Sequence, residues 1–154
     1  HGICIGSEIS GGIEDVAVWD CDLANSQYGI MVKGTRKRGG GVQGLSVRRC
    51  VLPRVMVCQV AYNDDGAPGP RPPVFRDFRF EDLTLTGRCL DADQALTGGE
   101  GGGFQPCVPL QLEGFDGPGC ELQDVVFRRL ALTGGGTLQL GRCKGVSLEE
   151  IDCI

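Results

Sequence analysis

Five segments of the chain share one arrangement of apolar and polar positions, apolar-x-x-apolar-x-apolar-x-x-apolar-x-apolar: IEDVAVWDCDL (13–23), VQGLSVRRCVL (42–52), FRDFRFEDLTL (75–85), LQDVVFRRLAL (122–132) and CKGVSLEEIDC (143–153). Residues two apart in a strand share a face, so Val16 and Val18 point one way, as do Cys21 and Leu23. The polar pair between those couples allows a corner, and each segment reads as two short strands around a bend. Shorter alternating stretches fall between the segments: ICI (3–5), GIMVK (29–33), VMV (55–57), LQL (110–112) and LQL (138–140). Segment starts lie 29, 33, 47 and 21 residues apart, which suits coils carrying loops of different length. The pattern predicts an all-β fold, a β-solenoid of about five coils. Backbone bonds then run between coils ~4.7–4.9 Å apart, and like residues stack inside.

Composition supports strands over helices. Glycine supplies 26 of 154 positions without a collagen-like triplet, and in a helix interior each would lose roughly 0.5–1 kcal/mol relative to alanine. Glycine is expected to mark the corners between coils. An apolar content of 41% with 23% charged residues argues for a chain that buries a core. No run approaches the roughly 20 apolar residues of a membrane span and no charged-then-apolar leader is present, so no membrane association is expected. Two stretches break the rhythm and read as loops: 62–74, with its YNDDGAPGPRPP run, and 86–109, with GGEGGG at 98–103. Loops of this kind border binding grooves in some scaffolds and are merely tolerated insertions in others.

The nine cysteines are an odd number without a CxxC pair, and with a single histidine in the chain no zinc site is expected. Cys21 and Cys50 occupy the slot that Leu83, Leu130 and Ile151 fill in the other segments, and Cys143 and Cys153 also sit in apolar slots. These four are expected to be interior thiols packing as small hydrophobes. Cys89, Cys107 and Cys120 fall in or near the long insert and are disulfide candidates whose pairing the sequence does not choose.

In GIMVK the alternation turns Ile30 and Val32 inward and Met31 and Lys33 outward. Arg36, Lys37 and Arg38 follow, a local cluster of cations in a chain of net charge −5. Such a run is either a solvated turn that keeps edges from pairing or a site for a carboxylate or phosphate. Nucleic acid is a poor partner for a domain of pI near 4.8 without interleaved aromatics. Asp64 with Asp65, and Asp91 with Asp93, are carboxylate pairs of the kind glycosidases use, but in glycine-rich surroundings turn chemistry is the simpler reading. On residue type alone His1, the only histidine, reads as structural or incidental.

The opening HGICIGSEISGGIEDVAVWDCDL, followed by YGIMVKGTRKRGGGVQGLSVRRC, resembles the central-to-C-terminal part of glycoside hydrolase family 28, the polygalacturonases and their relatives. Members look like GHGISIGSxxxGGVxNVxVxNC, then a GLRIK strand, then an RGRGG turn. VFRDFRFEDLTLTG, VPLQLEGFDGPGCELQDVVFRRLAL and TLQLGRCKGVSLEEID are similar to the last coils, so the resemblance covers essentially the whole chain.

The resemblance implies a right-handed single-stranded parallel β-helix, with residues 1–154 as the C-terminal part of one such domain. It also implies a secreted or periplasmic location and inverting hydrolysis of α-glycosidic bonds of galacturonic acid in pectin. No cofactor is implied, a monomer is expected, and the partner is pectin or a related acidic polysaccharide. The family's acid and base aspartates lie on an Asn-x-Asp strand and an Asp-Asp strand before the Gly-His-Gly turn. Neither motif is in this chain, and Asp64 and Asp65, which come after the turn, do not match, so the chain alone is expected to be inactive. His1 matches the auxiliary catalytic histidine, Lys33 the lysine that holds a substrate carboxylate, and Tyr62 a tyrosine lining the sugar subsite. Met31 stands where the family has an arginine, which removes a bidentate carboxylate partner, and Cys4 stands where serine is common. The alternative is a noncatalytic carbohydrate-binding or adhesion β-helix.

Overall fold

The computed structural model describes residues 1–61, 67, 73–91 and 103–154. Ten of its strands form two sheets in which every neighbouring pair is parallel. The narrow sheet contains, in spatial order, β1 (Ile3–Ile5), β3 (Ile30–Gly34), β5 (Val55–Gln59), β9 (Leu110–Glu113) and β11 (Leu138–Gly141). The wide sheet contains β2 (Ile13–Trp19), β4 (Gly41–Leu52), β6 (Val74–Leu85), β10 (Leu122–Leu132) and β12 (Cys143–Cys153) in chain order. Each coil contributes one strand to each sheet and stacks on the next, giving a parallel β-helix of five coils.

Alternation along each strand decides what goes inside. Ile3, Ile30, Val55 and Leu110 form one inward column of the narrow sheet, and Ile5, Val32, Val57 and Leu112 form the next. Opposite them, Val18, Val47, Phe80 and Phe127 line up across the wide sheet, all buried. The Phe80 and Phe127 rings stack at 4.8 Å with 13° between their planes. Cys50, Leu83, Leu130 and Ile151 share a column, as their common slot in the sequence predicts, with Cys21 beside Cys50 in the first coil.

Each long segment bends twice rather than once, and glycine holds two of these bends, Gly44 and Gly145, while other left-handed glycines such as Gly6, Gly12 and Gly40 lie at the corners between strands. One column of left-handed backbone runs Asp15, Gly44, Asp77, Asp124, Gly145, and a second runs Asp20, Arg49, Asp82, Arg129, Glu150, with φ of 51–61° at the eight non-glycine positions. A single residue in this conformation turns the strand without breaking the ladder on either side. Aspartate tolerates it better than most side chains because its short polar group bonds locally. The second column also carries ion pairs between coils: Arg49 grips Asp20 at 2.6 and 2.8 Å, and Arg129 grips Asp82 at 2.5 and 2.9 Å. One residue earlier, Arg128 reaches Glu149 at 2.8 Å and Glu81 at 3.8 Å.

Two other expectations change. The insert 86–109 contains an antiparallel hairpin, β7 (Arg88–Leu90) with β8 (Phe104–Pro106), in addition to loop. Cys153 is exposed although its slot is apolar: it lies on β12, an edge strand of the wide sheet, as Leu148 does, and the exposed Leu140 lies on β11, an edge strand of the narrow sheet.

Candidate functional site

Of the residues that the resemblance singles out, His1 and Lys33 lie along the narrow sheet. Strands β1 and β3 lie side by side, with Ile3 opposite Ile30, Cys4 opposite Met31 and Ile5 opposite Val32. Just before β1 the Gly2 N–H donates to the Tyr28 carbonyl at 2.7 Å, which brings His1 to the edge of this sheet. A side chain at position 2 would meet the Gly29 carbonyl oxygen at 2.5 Å, so glycine is required for that approach. The His1 ring stands edge-on to Tyr28, 4.8 Å between centroids and 85° between planes. From the next coil the Arg54 guanidinium lies 4.0 Å over the Tyr28 ring, in cation–π geometry, and its Nε is buried with no hydrogen-bond partner. His1, Tyr28 and Arg54 form a compact cluster at the start of the sheet.

Lys33 sits at the other end. It is half-buried and lies opposite Cys58. Its backbone is packed so closely against Gly6, whose φ is 98°, that a Cβ there would fall 1.9 Å from the Lys33 carbonyl oxygen. His1 and Lys33 therefore lie along one sheet but are separated by the length of a short strand, roughly 16 Å at ~3.3 Å per residue. Glu113, the last residue of β9, accepts from Arg142 at 2.7 Å and from Gln59 at 3.5 Å. Burial pushes the Cys58 thiol above its ordinary value, the Glu113 carboxylate adds to that and the Lys33 ammonium opposes it, which places the three groups in one electrostatic neighbourhood.

Between the two ends the outward column reads Cys4, Met31, Met56, Gln111, Gln139, with no charge in it. Met31 is 7% exposed although it points away from the core. The basic run after Lys33 is divided. Arg38 donates to Ser7 Oγ at 3.2 Å and to Glu8 at 3.3 Å, while the Arg36 guanidinium lies beside Gly117. Tyr62, Asp64, Asp65 and Asp93 lie outside the described residues. The Asp91 N–H donates to the Gly103 carbonyl at 3.0 Å at the mouth of the hairpin. Tyr28 and Arg54 were not singled out from the sequence, since neither falls in a periodic slot and only the stacking of coils makes them neighbours.

Compared with known proteins, the chain matches no protein-family model and no curated protein sequence.

Proposed function

We propose that the chain is part of a carbohydrate-active β-helix, a polygalacturonase-like glycoside hydrolase, and that the outer face of its narrow sheet forms one portion of the groove for an acidic polysaccharide. The observation that supports this reading is the pairing of β1 with β3, which brings the strand that follows the His-Gly turn beside the strand that contains Lys33. In this reading Lys33 holds a sugar carboxylate by a charge-assisted hydrogen bond, Tyr62 lines the same subsite, and His1 orients or shares a proton with an acid. The acid and base that an inverting glycosidase needs, two carboxylates about 6.5–9.5 Å apart, are not assigned to any residue of this chain. The isolated chain binds sugar without cleaving it.

Calorimetric titration of the isolated chain with an oligogalacturonate and with its neutral galactose counterpart tests the proposal. Heat of binding with the acidic sugar supports it, and no binding of either sugar overturns it. Reducing ends released by the isolated chain would overturn the part that leaves acid and base outside it. A second reading, a groove that binds without hydrolysis in the complete protein, is favoured by the uncharged Cys4, Met31, Met56, Gln111, Gln139 column. Stronger binding of the neutral sugar supports that one.

A further inference from the structure

We propose that Cys89 and Cys107 form a disulfide that ties the stem of the β7–β8 hairpin. The hairpin places Arg88 opposite Pro106 and Cys89 opposite Gln105, and the Cys107 N–H continues the ladder by donating to the Gly87 carbonyl at 2.9 Å. Cys89 and Cys107 are therefore diagonal neighbours, and alternation puts their side chains on the same face of the two-stranded ribbon. Cys89 helps to hold the Cys107 thiol above its ordinary value, which places the two in one electrostatic neighbourhood, and both are free thiols in this structure. Cys89 is 3% exposed, whereas Cys107 is only half-buried and borders an open cleft of about 430 Å³ with Pro106, Pro109 and Gly134–Thr137. A small disulfide oxidant thus has a path to the Cys107 sulfur.

The other close thiols differ. Cys21 and Cys50 are also neighbours, but they are stacked in register on adjacent parallel coils, and each donates to the carbonyl two residues back, Trp19 at 3.3 Å and Arg48 at 3.2 Å. Cys143 does the same toward Gly141 at 3.2 Å. Among the described residues the hairpin's bond of this kind is a long one, from Cys107 Sγ to the Pro53 carbonyl at 3.9 Å. Pro53 also accepts from the Gly87 N–H, and it immediately precedes the Arg54 that covers Tyr28. The bond would hold the hairpin stem against the backbone that positions the Arg54, Tyr28 and His1 cluster. This inference stands apart from the proposed activity.

Oxidised glutathione suffices as the oxidant. One cysteine loses its proton and attacks a glutathione sulfur, releasing a first glutathione thiolate and leaving a mixed disulfide. The second cysteine loses its proton, attacks the protein sulfur of that intermediate and releases the second thiolate. Two electrons and two protons leave the protein, and one S–S bond replaces another.

The test is peptide mapping of the folded chain after equilibration with oxidised glutathione, alkylation of remaining thiols and digestion without reductant. Cleavage after Glu100 separates the two cysteines into different peptides. The expected product is that pair of peptides joined and lighter by two hydrogens, with reductant separating them. Alkyl label on both Cys89 and Cys107 in the oxidised sample, or Cys89 joined to another cysteine, overturns the proposal. The wild-type map decides by itself. As an independent check, Cys107→Ser should leave Cys89 open to alkylation, while Cys50→Ser should leave the crosslink in place; loss of the crosslink in folded Cys50→Ser counts against it.

Discussion

Arg129 of the fourth coil holds Asp82 of the third through two parallel N–H to carboxylate bonds, although both residues sit in left-handed backbone at the outside of a bend. The geometry fixes the relative height of two coils at a point where the strand path turns. It also holds the Asp82 carboxyl below its ordinary range, the hydrogen bond from Arg129 being the largest cause.

That depression has a sign. A carboxylate held below its unfolded value near 3.9 stabilises the fold above that pH, and the contribution is lost as pH falls through the folded value. The same holds for Asp20 beside Arg49. Thermal melts taken downward from pH 5 should show stability falling below about pH 4, and Asp82→Asn should flatten the fall. Because both partners are exposed, Arg129→Gln should cost little at neutral pH and less still at high salt. A large loss of melting temperature in high salt would count against this account.

Phe127 stacks on Phe80 in the middle of the core, and both are fully buried. Replacing Phe127 with alanine leaves a cavity bounded by neighbouring coils and should cost about 3–5 kcal/mol. Phe127→Leu should cost clearly less. Urea unfolding of the two variants measures the difference, and equal losses would show that the stacked rings are not a packing unit.

Under reducing conditions alkaline pH should destabilise the protein. Burial pushes the thiols of Cys50, Cys58 and Cys143 upward and that of Cys107 up to about 12. A raised folded value means that the native state keeps protons the unfolded chain gives up near pH 8.5, so stability is intact below that pH and is lost as pH rises toward 12. Denaturation midpoints in the presence of a phosphine reductant should fall from pH 8.5 upward, more steeply than in Cys107→Ala. Superimposable profiles would contradict this.

At the candidate groove, Lys33→Ala should weaken binding of an oligogalacturonate by roughly tenfold or more, the scale of one hydrogen bond to a charged group. Binding of the neutral sugar should be unchanged. Lys33→Arg should retain part of the affinity, since charge is kept while the geometry differs. Equal loss for both sugars would point to damaged packing around Gly6 rather than to carboxylate recognition.

The stacking of coils was legible because the inward slots repeat with strand period over five segments, so Cys50, Leu83, Leu130 and Ile151 aligned in sequence before they aligned in space. The first bend was not read, yet its signal was present. Asp15, Gly44, Asp77, Asp124 and Gly145 are residue types that accept left-handed backbone, all at one offset in the pattern. The β7–β8 hairpin escaped because three-residue strands are too short to show a period. At the candidate site, His1 and Lys33 were found by motif. Arg54 and Tyr28 come from different coils and meet through a ring face, a relationship without a spacing in the chain.

The ion-pair columns at the second bend follow a rule of alternation. Coils two and four present Arg48–Arg49 and Arg128–Arg129, while coils three and five present Glu81–Asp82 and Glu149–Glu150. Each coil therefore meets the opposite sign only in its immediate neighbour. A folding error that skips a coil and lays β10 on β4, or β12 on β6, would leave the inward apolar slots nearly matched. It would also set arginine pairs against arginine pairs, or acids against acids. The hydrophobic columns say that coils stack; the charge columns act as a parity check on which coil follows which.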